Sequence, residues 1–89
     1  MRPTLLLRRD DVRDLLTLGD CIDAVGRAFS LAAQGLIPRA GVLGFPAKDG
    51  GFHMKVASLA GDPAYFAAKL NGNFFRNRER FGIPNIQGL

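Results

Sequence analysis

The chain has one cysteine, one histidine and no tryptophan among its 89 residues. Cys21 alone cannot close an internal disulfide, and one cysteine with one histidine falls short of a zinc ligand set, so no metal site is expected. Long apolar runs are scarce as well. Leu5 to Leu7 are followed at once by Arg8, Arg9, Asp10 and Asp11. Such a run is too short for the hydrophobic region of a secretory signal and far below the ~18 residues that cross a bilayer. A cytoplasmic location without a membrane partner is the expectation. No G-x-G-x-x-G occurs either, so this chain by itself should lack a full dinucleotide site.

What is present fits a small globular domain. Apolar residues make up 47% and charged residues 22%, proportions that can fold around a core in water. At 89 residues that core is small, and without disulfide or zinc support a domain of this size needs a partner. Twelve Lys and Arg against eight Asp and Glu leave a net charge of +4, which favours anionic ligands without requiring nucleic acid.

Thr4 to Arg8 reads as a short strand, and Asp10 as the N-cap of a helical turn through Val12, Leu15 and Leu16. From Asp20 onward Cys21, Ile22, Val25, Ala28, Phe29 and Ala32 recur at three- and four-residue steps. That spacing predicts an amphipathic helix, which Gly35 can end in a left-handed cap. Beyond Pro38 the pattern changes. Val42, Leu43 and Phe45 lead to Asp49, Gly50 and Gly51, and then Phe52, Met54 and Val56 alternate with other residues, a hairpin whose glycines accept positive φ. Gly61, Asp62 and Pro63 separate it from a third strand, Tyr65 to Leu70, which runs into Asn71, Gly72 and Asn73. Phe74 to Leu89 reads as a polar, basic loop that reaches the start of a further strand near Ile83. The expected class is α+β: an N-terminal strand and helices followed by an antiparallel meander.

Strand alternation puts His53, Lys55 and Ala57 on one face and Phe52, Met54 and Val56 on the other. Lys69 stands on an otherwise apolar strand. It could be an edge lysine whose stem covers apolar surface while its ammonium reaches water. It could instead form, with Arg39 and Lys55, a pocket for a small carboxylate, an anion that arginine grips through two parallel hydrogen bonds. Residues 73–81 interleave phenylalanines with arginines, a pattern that suits either base stacking with phosphate neutralisation or a solvated loop anchored by its rings. Cys21 near the head of the long helix fits a small hydrophobe.

The stretch GGFHMKVASLAGDPAYFAAKLNGNFFRNRERFGIPNIQGL, Gly50 to Leu89, resembles the ornithine cyclodeaminase / mu-crystallin family, which includes an archaeal type of alanine dehydrogenase and imine reductases. A lysine-bearing strand runs into Asn-Gly, as Lys69 to Asn73 do, and a "lPtiqGl"-like strand follows, as Ile83 to Leu89 do. The opening strand, Asp10-Asp11-Val12, the helix ending near Gly35 and Pro38-Arg39 agree too. The resemblance implies the N-terminal part, residues 1–89, of a substrate-binding and dimerisation domain, without the Rossmann domain that holds NAD or NADP in the full-length family. It implies a small 2-amino, 2-imino or 2-oxo acid as substrate and a homodimer as the assembly, with neither nucleic acid nor membrane as partner. Lys69 is then the catalytic residue, and Arg39, Lys55 and Met54 are substrate-binding; cofactor-binding residues are not assigned. Phe52 stands where ornithine cyclodeaminases proper carry an acidic residue, which points away from ornithine. Two other expectations remain beside this one: an inactive truncated fragment, and a small basic nucleic-acid binder using Phe74 to Arg80.

Overall fold

A computed structural model describes residues 2–89, which divide into two compact units, one ending at Gln34 and the other spanning Gly35–Leu89. The first unit carries helices α1 (Arg9–Leu15) and α2 (Leu18–Ala33). At the head of α1 the backbone N–H of Arg8 donates to Asp11 Oδ2 at 2.8 Å, so the acidic side chain two residues inside the helix satisfies a donor that the helix itself leaves open. The α2 terminus is closed from both sides. Thr17 Oγ1 accepts from the Asp20 backbone N–H and Asp20 Oδ2 accepts from the Thr17 N–H, both at 3.1 Å, a reciprocal capping box in which Asp takes the usual Glu position. This cap starts the helix two residues before Asp20, so Gly19 lies inside the first turn instead of breaking the chain. Gly35, at φ 72, follows the C-cap Gln34, as the pattern predicts.

The expected strand Thr4–Arg8 is without regular structure. A short apolar run such as its three leucines is compatible with a buried strand, but a strand exists only where its N–H and C=O groups find a neighbour. The sheet is built entirely from residues 41–88.

The second unit is a four-stranded antiparallel meander in the order β1 (Gly41–Ala47), β2 (Gly50–Leu59), β3 (Tyr65–Phe74) and β4 (Ile86–Gly88). The α+β class follows directly. The first hairpin turns at Lys48 and Asp49, and the positive φ there falls on Asp49, at 63, not on a glycine. Gly50 serves close approach instead: a Cβ built on it would stand 2.2 Å from the Asn73 carbonyl oxygen. Strand β3 extends through Phe74 because all ten of its residues face a partner on β2, from Tyr65↔Leu59 to Phe74↔Gly50. The presumed loop after it contains a short helix, α3 (Asn77–Phe81), which ends at Gly82 in a left-handed conformation, φ 68. The Asn77 side chain donates to the Pro84 carbonyl at 3.3 Å and the Arg78 N–H donates to Asn85 Oδ1 at 3.3 Å, which fastens α3 to the segment entering β4.

The register sorts the sheet into two faces. One carries Leu43, Phe45, Phe52, Met54, Val56, Phe66, Leu70 and Phe74; the other carries Val42, His53, Lys55, Ala57, Tyr65, Ala67, Lys69, Asn71 and Asn73. On the apolar face Phe52 and Phe74 meet edge to face, with ring centroids 5.3 Å apart and planes at 72°. Gly72 gives them room, since a Cβ there would lie 3.0 Å from Phe74 and 3.2 Å from Phe52. No described residue is fully buried, and Phe45 and Phe66 remain 66% and 71% exposed.

Candidate functional site

Two of the chain's three lysines are partners. Lys55 on β2 stands opposite Lys69 on β3, and directly opposed residues of an antiparallel pair project from the same face. Leu70 exchanges hydrogen bonds with Leu89 on the β4 side, N to O at 3.2 Å and 2.8 Å. The even residues of β3 therefore turn their backbone groups to β4 and the odd ones to β2, which makes Lys55–Lys69 a hydrogen-bonded rung with Cα atoms about 5.5 Å apart. Like charges facing each other on a rung are unfavourable. An anion between the two ammonium groups would convert that repulsion into attraction.

The next rung toward the β1–β2 turn is His53↔Asn71, and the one after it is Gly51↔Asn73. All six residues share the lysine face. Beside His53 on β1 is Gly44, where a Cβ would come within 3.6 Å of the imidazole Cδ2; the ring thus stands next to a position without a side chain. A hollow of about 360 Å³ lies here, lined among others by Gly44, Pro46, Gly51, His53 and Asn73. Its floor is low because both glycines of the floor lack side chains.

The other expected site residues lie elsewhere. Met54 projects from the apolar face, opposite Leu43 and Leu70, so the rung alternation separates it from the lysines. Arg39 precedes β1 by two residues and lines a cleft of about 160 Å³ with Gly41, Val56, Ser58 and Phe66, of which Val56, Ser58 and Phe66 belong to the apolar face. The sheet therefore brings Lys55 and Lys69 together, whereas Arg39 and Met54 line cavities on its other side. Asn71 and Asn73, beyond the strand Tyr65 to Leu70 that the sequence predicts, join the lysine face because β3 runs unbroken through Phe74.

Two of the three arginines after β3 are engaged locally. Arg76 grips Glu79 with both Nε and Nη2, at 3.2 Å and 3.1 Å, and this hydrogen bonding holds its guanidinium above its ordinary pKa. Arg80 lies over the Phe81 ring at 5.6 Å from its centroid, a cation–π distance. Among the described residues no group of three or more His, Cys, Asp or Glu is placed to hold a metal, and no helix is long and apolar enough to cross a membrane.

A dinucleotide needs a strand–turn–helix unit with its glycine-rich turn against the helix N-terminus. Here the glycines of the β1–β2 hairpin join two antiparallel strands, so these residues do not fit such a group. Comparison with known protein families, curated proteins and solved structures finds no match for this chain.

Proposed function

We propose that the chain is the substrate-binding part of an NAD(P)-dependent enzyme of the ornithine cyclodeaminase / mu-crystallin type, acting in the cytoplasm on a small 2-amino, 2-imino or 2-oxo acid. The observation that carries the reading is the Lys55–Lys69 rung. Two exposed lysines presented from opposed backbone positions on one face can hold a carboxylate between their ammonium groups. With the carboxylate on Lys55, Lys69 reaches the nitrogen or oxygen on the adjacent carbon. There it donates a hydrogen bond and opposes negative charge that develops on that atom, as preorganised donors do. The family likeness would add Arg39 and Met54, but both stand on the other side of the sheet from the lysines, so the assignment made here is to the lysine rung alone; NAD or NADP likewise enters only through the likeness.

Homodimerisation belongs to the same reading. Its support is the apolar sheet face, where Leu43, Phe45 and Phe66 are each more than 60% exposed, a patch of the kind that marks an association surface. The lack of any fully buried described residue favours a second reading, a chain that is inactive unless something covers that face. Calorimetric titration of pyruvate into the native chain and into Lys55→Ala and Lys69→Ala decides the first point. Binding by the native chain that is lost in both variants supports the reading, and equal heats in all three remove it.

A further inference from the structure

We propose that the lysine face takes a dicarboxylic acid, with one carboxylate on Lys55 and Lys69 and the second held by His53 and Asn71. The inference rests on the carboxylate-binding reading above and adds to it the class of side chain that the ligand carries.

Five observations support it. The rung His53↔Asn71 is adjacent to Lys55↔Lys69 on the same face. The two rungs are separated by two residues along each strand, roughly 6.8 Å, a spacing that a four- or five-carbon diacid can span between its ends. Both residues of the second rung are donors: the imidazole offers N–H and the amide offers NH₂, and neither brings negative charge. Beyond them the glycine-floored hollow beside His53, about 360 Å³ with Asn73 on its rim, leaves space above the sheet for the ligand's far end. A monocarboxylate such as pyruvate would use the lysine rung alone and leave these donors to water. The same face has no acidic side chain on β1, β2 or β3, so nothing on it competes with a second carboxylate or repels it.

The test is titration of the 89-residue chain with 2-oxoglutarate and with pyruvate, followed by amide chemical shifts. Hydrogen bonds donated to a carboxylate are charge-assisted, so 2-oxoglutarate should bind on the order of tenfold more tightly than pyruvate. Shifts should spread from the Lys55–Lys69 rung to His53 and Asn71. In His53→Ala with Asn71→Ala the two acids should bind alike while pyruvate affinity is unchanged; His53→Gln, which keeps a donor and the strand's bulk, should retain part of the preference. If the native chain binds both acids equally, the diacid assignment is overturned and the carboxylate site stands. If it binds neither, both fall.

Discussion

Lys55 and Lys69 face each other on one rung of the sheet, a pairing of like charges that costs stability wherever the ammonium groups have nothing between them. The consequence is a trade-off within single residues. Lys55→Met or Lys69→Met removes the repulsion and keeps the apolar stem, so the empty protein should become more stable, by about 0.2–1 kcal/mol. The same variants should lose carboxylate binding. Urea denaturation with and without 20-fold excess ligand over its dissociation constant checks both halves, since only the native chain should gain about 2 kcal/mol from ligand. A variant that is destabilised and still binds would contradict the assigned role.

Gly50 and Gly26 make a matched pair of opposite sign. At Gly50 a Cβ would meet the Asn73 oxygen at 2.2 Å and the Phe74 Cα at 2.9 Å, both backbone atoms that cannot turn aside, so Gly50→Ala should force β2 and β3 apart at the hairpin end. A loss of roughly 1–3 kcal/mol is expected, the range of overpacked interiors. Gly26 sits within α2 with nothing inside 4 Å of a Cβ, and Gly26→Ala should stabilise the helix by about 0.5–1 kcal/mol. Thermal melts of the two variants beside the native chain measure the difference.

The cap of α2 should respond to acid. The carboxylate of Asp20 is held below its ordinary value of 3.8, first by the hydrogen bond from the Thr17 backbone and then by the one with its side chain. A depressed carboxylate contributes stability that is complete above the unfolded value and lost as pH falls through the folded one. Helix content by circular dichroism should therefore hold above pH 3.8 and decline below it through the titration of Asp20. Asp20→Asn should flatten that part of the curve. Thr17→Ala removes the reciprocal half of the cap and should cost about 1 kcal/mol at neutral pH.

The parts of this fold that depend on local periodicity are legible in the sequence. The α2 stripe, Gly35 after its end and the alternation of Phe52, Met54 and Val56 each follow from neighbours in the chain. Register is different, because it is set by which strand meets which, and the facing of Lys55 with Lys69 depends on the length of the β2–β3 connection as much as on either strand. Arg39 shows the limit clearly. Its type suits an anion, but a shift of one residue along a strand reverses the face, and no local pattern states where it stands relative to β2. The opening leucines fail for a related reason: Thr4–Arg8 has the composition of a strand without a paired edge to complete it. α3 was hidden because its five residues are too few for a periodic stripe, although Gly82 after Phe81 is the C-terminal signal that could have revealed it.

Association through the apolar sheet face is the prediction with the widest reach, because it bears on how so small a chain is stabilised at all. Phe45 on β1 and Phe66 on β3 lie on the same face, two strands apart, and are 66% and 71% exposed. Burying such a ring contributes about 1.5–3 kcal/mol, so a dimer formed across this face should weaken by roughly tenfold or more with each of Phe45→Gln and Phe66→Gln. Sedimentation equilibrium over a range of concentrations reads this directly. Val42→Gln, on the opposite face beside Lys55, is the control and should leave the association constant unchanged. A native chain that stays monomeric at millimolar concentration would rule the dimer out, and a dimer weakened only by Val42→Gln would place the interface on the lysine face instead.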